Sequence, residues 1–112
     1  MALNDIEVAQ IKRYMRLFMN KRRPPAFIRD EIDLEYRIWG NDVVICRVNY
    51  INKKKYESPI AKMVLNRPHT RWNLYRMNQS QEWIIAAKEP ISAFSDAIKL
   101  VEDDINSYFF RL

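Results

Sequence analysis

The amino-acid sequence predicts an α+β fold: an N-terminal helix, an antiparallel meander of about five strands and a C-terminal helix, in a single domain spanning residues 1–112. Three observations support this prediction. Apolar residues recur at helical spacing near both ends of the chain, and they alternate with polar residues in between. The links between the alternating segments are also too short for parallel crossovers, which need roughly a dozen residues.

The first predicted helix runs from about Asp5 to Asn20. Asn4 stands at the N-cap and Glu7 at the reciprocal position of a capping box. Pro24-Pro25 ends the helical pattern, because proline lacks the backbone N–H that a helix interior needs. The apolar stripe of this helix consists of Ile11, Tyr14, Met15 and Phe18.

A hairpin is predicted next, because the residues from Ile32 to Ile38 alternate between apolar and charged. Gly40, the only glycine in the chain, provides the turn chemistry together with Asn41 and Asp42. The return strand runs from about Val43 to Ile51. On this strand the residues expected to face the core are Val44, Cys46, Val48 and Tyr50.

The rest of the chain predicts three further strands and a second helix. The strands are Ile60–Leu65, Arg71–Met77 and Glu82–Ala86, and the first follows a basic loop at Asn52–Lys55. The helix begins near Ser92, which is a good N-cap residue. Its expected apolar stripe consists of Phe94, Ala97, Ile98, Val101 and Ile105.

Charge and cysteine content restrict the class of protein. The net charge is +5, but acidic and basic blocks alternate along the chain, so the basic excess supports a nucleic-acid partner only weakly. Cys46 is the only cysteine, which excludes an intrachain disulfide and indicates a reducing compartment. Asp5 and Glu7 do not fit an export signal, and no apolar run approaches the length of a membrane span. We therefore expect a cytoplasmic protein.

Several short strings, taken together, resemble a family of small bacterial proteins known only as a domain of unknown function. The strings are Arg22-Arg23-Pro24-Pro25, Ile28-Arg29-Asp30, Pro59-Ile60-Ala61-Lys62, Trp72-Asn73-Leu74-Tyr75 followed by Trp83, and Val101-Glu102-Asp103-Asp104 with Phe109-Phe110. The resemblance spans nearly the whole chain. It implies one compact domain without an assigned activity, and it supplies no catalytic residues.

Residue counts exclude several kinds of catalytic site. A structural zinc site needs four thiolate or imidazole ligands, and the chain offers only Cys46 and His69. One glycine cannot build a phosphate-binding loop. The carboxylates of Asp33 and Glu35 share one strand face and could hold a magnesium ion, which leaves a metal-dependent hydrolase as an alternative. The sequence otherwise predicts no catalytic residue, no cofactor and no metal.

The last helix ends in several acidic residues, and their negative charge requires compensation by a cation. Glu102, Asp103 and Asp104 lie near a helix C-terminus, where negative charge is unfavourable. We expect an arginine to dock there and to join the two helix ends. The candidates are Arg22, Arg23 and Arg29. The alternative is an acidic patch for a cationic partner or a metal.

A basic surface is also predicted on the outward side of the sheet. Its members are Arg37, Arg47, Lys62, Arg71 and Tyr75. Such a surface is typical of some single-strand binders, so nucleic-acid binding is one alternative. Trp72 and Trp83 are expected in the core. The leading interpretation is a non-enzymatic binding or protein-interaction module whose partner is an unknown protein or a second copy.

Overall fold

The computed structural model describes residues 3–67 and 70–110, and its architecture confirms the predicted fold class. An N-terminal helix, five antiparallel strands in one sheet and a C-terminal helix follow one another along the chain. The elements are α1 (Asp5–Arg22), a short 3-10 helix (Ala26–Ile28), β1 (Ile32–Trp39), β2 (Asp42–Ile51), β3 (Lys54–Asn66), β4 (Arg71–Met77), β5 (Trp83–Ile85) and α2 (Phe94–Asp103). The predicted turn at His69 lies outside the described residues.

Helix α1 begins with the predicted capping box. The Asn4 side chain accepts the Glu7 N–H at 2.8 Å, and the Glu7 carboxylate accepts the Asn4 N–H at 3.0 Å. The helix ends at Arg22, two residues later than predicted. Arg23 is already extended, with ψ at 136°, because a residue that precedes a proline is kept out of the helical region.

The sheet is a simple meander in the order β1-β2-β3-β4-β5, antiparallel throughout. Gly40 takes φ +60° in the two-residue link between β1 and β2. Asn52 and Lys53 form the next two-residue turn, and both have positive φ, as twisted hairpin turns require. The predicted basic loop is therefore shorter than expected, because Lys54 and Lys55 already belong to β3.

Both helices pack on the same face of the sheet and share its core. Trp72 of β4 meets Phe94 of α2 edge to face, with ring centroids 5.0 Å apart. Phe109, beyond α2, is also buried in this core. The largest fully buried side chains of this core are Phe18, Ile11, Met15, Ile45, Met63, Val43 and Val101.

The predicted inward face of β2 is wrong by one residue. The two-residue turn places Ile38 opposite Val43 and Tyr36 opposite Ile45, so Val43 and Ile45 face the helices. Alternation could not reveal this, because β2 is apolar at both parities from Val43 to Cys46. The predicted set Val44, Cys46, Val48 and Tyr50 lies on the other face instead, where Cys46 and Val48 are nevertheless buried.

Helix α2 differs from prediction at both ends. Ala93 rather than Ser92 is the N-cap, and no side chain of the described residues caps the helix start. The helix ends at Asp103, because Asp104 adopts a left-handed conformation with φ 43°. Ile105 therefore lies beyond the helix and is 83% exposed, so it does not belong to the apolar stripe.

Candidate functional site

The C-terminal end of α1 contacts the C-terminal end of α2. The Arg22 guanidinium donates two hydrogen bonds to the Glu102 carbonyl oxygen, one of them from Nε at 2.9 Å. It also lies 4.5 Å from the centre of the Phe110 ring. The Lys21 ammonium is 3.5 Å from the Glu102 carboxylate. These cations face the negative end of the α2 dipole, where positive charge is favourable.

The other two arginines of the predicted cluster bind elsewhere. Arg23 forms a two-pronged ion pair with Asp33 at the start of β1, with both N–O distances at 2.9 Å. Arg29 donates from Nε to the Pro24 carbonyl at 2.7 Å and so stabilises the corner after α1. Neither reaches the acidic end of α2, because the extended chain from Arg23 onward leads back to the edge of the sheet.

Asp33 is held as a carboxylate. The Arg23 hydrogen bonds hold the pKa of this carboxyl below its usual range, against the effect of burial, and the Leu34 N–H donates to the same carboxylate at 2.7 Å. The pKa of Arg23 is raised in return, chiefly by the hydrogen bond to Asp33. The pair is therefore ionised at neutral pH.

The three acidic residues at the end of α2 lie in three different environments and do not form one patch. The Asp104 carboxylate accepts the backbone N–H groups of Tyr108, Phe109 and Phe110 at 2.8–3.1 Å. Asp103 is exposed, and Glu102 meets α1 as described above. Asp104 thus fixes the aromatic tail against the core, which explains a negative charge at a helix C-terminus.

The face of the sheet opposite the helices, called the open face here, carries most of the predicted basic surface. The strand register places Arg37 opposite Val44, and Val44 opposite Lys62. Lys62 is in turn opposite Tyr75, and Arg71 lies on the same side of β4. The charges here are partly paired: Arg37 binds Glu57, and Lys55 binds both Glu35 and Glu57.

Two predicted positions are wrong. Arg47 is opposite the buried Leu34, so it lies on the helix side, near Phe109 and Phe110, as a consequence of the β2 shift. Trp83 pairs with Met77 and lies on the open face instead of in the core. Its strand has three residues, too few for alternation to define a face. The Lys62 ammonium is 4.8 Å from the centre of the Trp83 ring.

The open face also carries an apolar groove that the sequence did not predict. Trp39, at the end of β1, is 83% exposed and borders a cavity of about 450 Å³. This Trp39 groove is lined by Trp39, Val44, Cys46, Pro59, Arg37, Asp42 and Glu57. Burial raises the pKa of the Cys46 thiol, which keeps it protonated and weakly nucleophilic. The available signal was a tryptophan on the charged parity of β1, directly before the turn.

The predicted metal-binding pair is occupied by cations of the protein itself. Asp33 binds Arg23, and Glu35 is 2.9 Å from the Lys55 ammonium. Within residues 3–67 and 70–110, histidine, cysteine and carboxylate side chains form no group of three that could hold a metal ion. In the same part of the chain, neither helix has the length and apolar character needed to cross a membrane.

Comparison with known sequences and structures identifies the family of the chain. The family described as "Domain of unknown function (DUF3024)" matches residues 3–111, and the chain belongs to this family. No curated protein sequence and no solved structure matches the chain significantly.

Proposed function

We propose that the protein is a non-enzymatic interaction module that binds a second copy of itself through the open face around Trp39. The observation that carries this proposal is the exposure of the Trp39 indole, at 83%, beside an apolar groove. Tryptophan is among the residues that contribute most to protein interfaces when it fills a pocket of the partner. A groove next to it supplies such a pocket.

The chemistry of the groove fits a protein surface. Val44, Cys46 and Pro59 provide apolar lining, and charged residues of both signs surround them. An apolar centre within a polar rim is the usual anatomy of a protein interface. The buried, free Cys46 thiol is compatible with the cytoplasmic location that we propose for the module.

A second copy is the partner that the charges favour. A twofold-symmetric interface must complement itself, so it needs both signs of charge around its apolar centre. The lining of the Trp39 groove has both signs: Arg37 is the cation, Asp42 and Glu57 are the acids, and Arg37 pairs with Glu57 within the same chain. Two copies related by a twofold axis can therefore place Arg37 of each chain against Asp42 of the other.

Sedimentation velocity over a concentration series tests this proposal. We expect Trp39→Ser to raise the dissociation constant of the dimer by about tenfold or more, because it removes the central apolar anchor. Phe27→Ser is the matched control, since Phe27 is equally exposed at 83% but lies outside the sheet. A chain that stays monomeric at every concentration, or equal dissociation by both variants, contradicts the proposal.

Nucleic-acid binding is the second candidate, favoured by the position of Lys62. Its ammonium lies 5.3 Å from the Tyr75 ring centre and 4.8 Å from that of Trp83, so two rings and a cation adjoin on one face. Bases stack on such rings in single-strand binders. Here Lys62 covers both rings, and a base would have to displace it, which is why we rank this candidate second.

Fluorescence anisotropy with a short single strand at two salt concentrations tests the second candidate. Binding through this face must weaken steeply with salt, and Lys62→Gln must reduce both the affinity and the salt dependence. Lys99→Gln, which removes one exposed lysine from α2, is the charge-matched control. Binding that both variants weaken equally would indicate attraction by net charge alone and would dismiss this face as the site.

A further inference from the structure

A second concave site lies on the helix side of the protein, between α1 and the edge strand β1. It has a volume of about 550 Å³, and we call it the basic cleft. Lys12 and Arg16 line it from α1, Arg23 and Arg29 from the corner after α1, and Tyr36 from β1. None of the described residues that line it is acidic, although the chain carries 14 acids. The cleft therefore concentrates positive charge.

Two of these cations, Lys12 and Arg16, are neighbours on the surface of α1. Lys12 and Arg16 are four residues apart on α1, so their side chains share one helix surface. Both are exposed, and neither pairs with an acid among residues 3–67 and 70–110. Like charges at this spacing destabilise a helix slightly. An anion bound between them would remove that repulsion.

The other two cations are fixed in place by the fold. Arg23 is held by both oxygens of Asp33, and Arg29 is held through Nε by the Pro24 carbonyl. Arg29 keeps both terminal nitrogens of its guanidinium outside these bonds. A ligand that met these arginines would not have to order them first, and such preorganisation increases affinity. Asp33 neutralises Arg23, so Lys12, Arg16 and Arg29 supply the net positive charge of the cleft.

We propose that the basic cleft binds a small ligand that carries a phosphate or diphosphate group. Guanidinium groups match phosphate oxygens in geometry and donate paired, charge-assisted hydrogen bonds to them. Three net positive charges favour a multiply charged anion over a single carboxylate. The cleft volume falls within the range of small-molecule sites, and the Tyr36 ring offers a surface for an organic part of the ligand. This site is separate from the open face, and the proposal does not depend on the proposed function.

Isothermal titration calorimetry with inorganic pyrophosphate, ADP and a short single-stranded oligonucleotide tests the proposal. We expect pyrophosphate and ADP to bind more tightly than the oligonucleotide. Arg16→Gln should weaken pyrophosphate binding by roughly tenfold, because it removes a charge-assisted contact. Arg13→Gln is the matched control: Arg13 is exposed on the same helix and carries the same charge, but it does not line the cleft. It should change the affinity by less than about twofold.

Three results would overturn the proposal. One is the absence of heat with both pyrophosphate and ADP. Another is equal weakening by Arg16→Gln and Arg13→Gln, which would show attraction to overall charge. The third is binding of the oligonucleotide alone. Because the Arg16 side chain is exposed and makes no hydrogen bond within the described part of the chain, Arg16→Gln should fold like the parent protein, and thermal unfolding verifies this.

Discussion

Among the described residues, Asp33 is the one charged residue that is buried, and 8% of its surface is exposed. A carboxylate in such a place is costly unless it is paired and hydrogen-bonded. Arg23 and the Leu34 N–H meet both requirements. The corner after α1 and the first strand are thus joined through one ion pair, whose arginine also lines the basic cleft.

The Asp33 pair predicts a specific dependence of stability on pH. Because its folded-state pKa is lowered, the carboxyl stabilises the fold above the unfolded-state pKa of about 3.9, and this contribution is lost as pH falls through the folded value. Urea unfolding of the parent protein and Asp33→Asn should show a difference at pH 7 that shrinks in acid. A difference that stays constant down to the acid limit would contradict this assignment.

Arg23→Ala tests the same pair from the other side. We expect it to lower the free energy of unfolding at neutral pH by about 1–2 kcal/mol, a value reduced because Arg23 is itself 39% exposed. Arg13→Ala, an exposed arginine within α1, is the control and should change stability by less than about 0.5 kcal/mol. Equal effects would mean that the Asp33 carboxylate does not depend on Arg23.

At the scale of elements, the end of α2 shows how one residue both stops a helix and fixes the segment after it. Asp104 takes the left-handed conformation that aspartate tolerates better than most residues. Its carboxylate then accepts three consecutive backbone N–H groups of the tail. Phe109 enters the core, and the Phe110 ring centre lies 6.2 Å from that of Phe18. The tail is therefore part of the packed structure.

Replacement of Asp104 by Ala should release this tail. We expect a loss of about 1–3 kcal/mol in the free energy of unfolding, because charge-assisted hydrogen bonds are lost and alanine disfavours positive φ. Hydrogen exchange at the amides of Tyr108, Phe109 and Phe110 should accelerate. Asp103→Ala, at the exposed neighbouring carboxylate, should leave these amides protected. If both variants leave exchange unchanged, Asp104 does not anchor the tail.

At the scale of the whole molecule, one core connects both helices with the sheet. Buried residues from α1, α2, four strands and the tail belong to the same hydrophobic cluster. Such a shared core predicts a single cooperative unfolding transition. It also leaves the open face of the sheet without a covering helix, which is why the Trp39 groove is available to a partner.

Phe18→Ala tests this cooperativity. Phe18 is 1% exposed, and its truncation should cost about 3–5 kcal/mol, a large part of the stability of a small domain. The transitions followed by far-UV circular dichroism and by tryptophan fluorescence should shift together. Leu17→Ala, at a residue 54% exposed, should have a small effect. Two separate transitions would mean that the helices and the sheet unfold independently.

The sequence by itself determined the order and type of the elements. Local signals sufficed for this: the capping box at Asn4, the proline stop after α1, the alternation of β1 and the turn at Gly40. The connections between the strands are too short for parallel crossovers, so they indicated an antiparallel meander. The resemblance to a domain of unknown function was confirmed by the family match.

Tertiary structure alone decided which side chains meet. Strand β2 is apolar at both parities and β5 is very short, so the buried face of each depends on pairing with neighbouring strands. For this reason Arg47 and Trp83 lie on the face opposite to the one predicted. The partner of each arginine depends on the path of the chain after Pro25, which no local pattern encodes. The Trp39 groove and the basic cleft arise for the same reason, because each collects residues from segments that are distant in sequence.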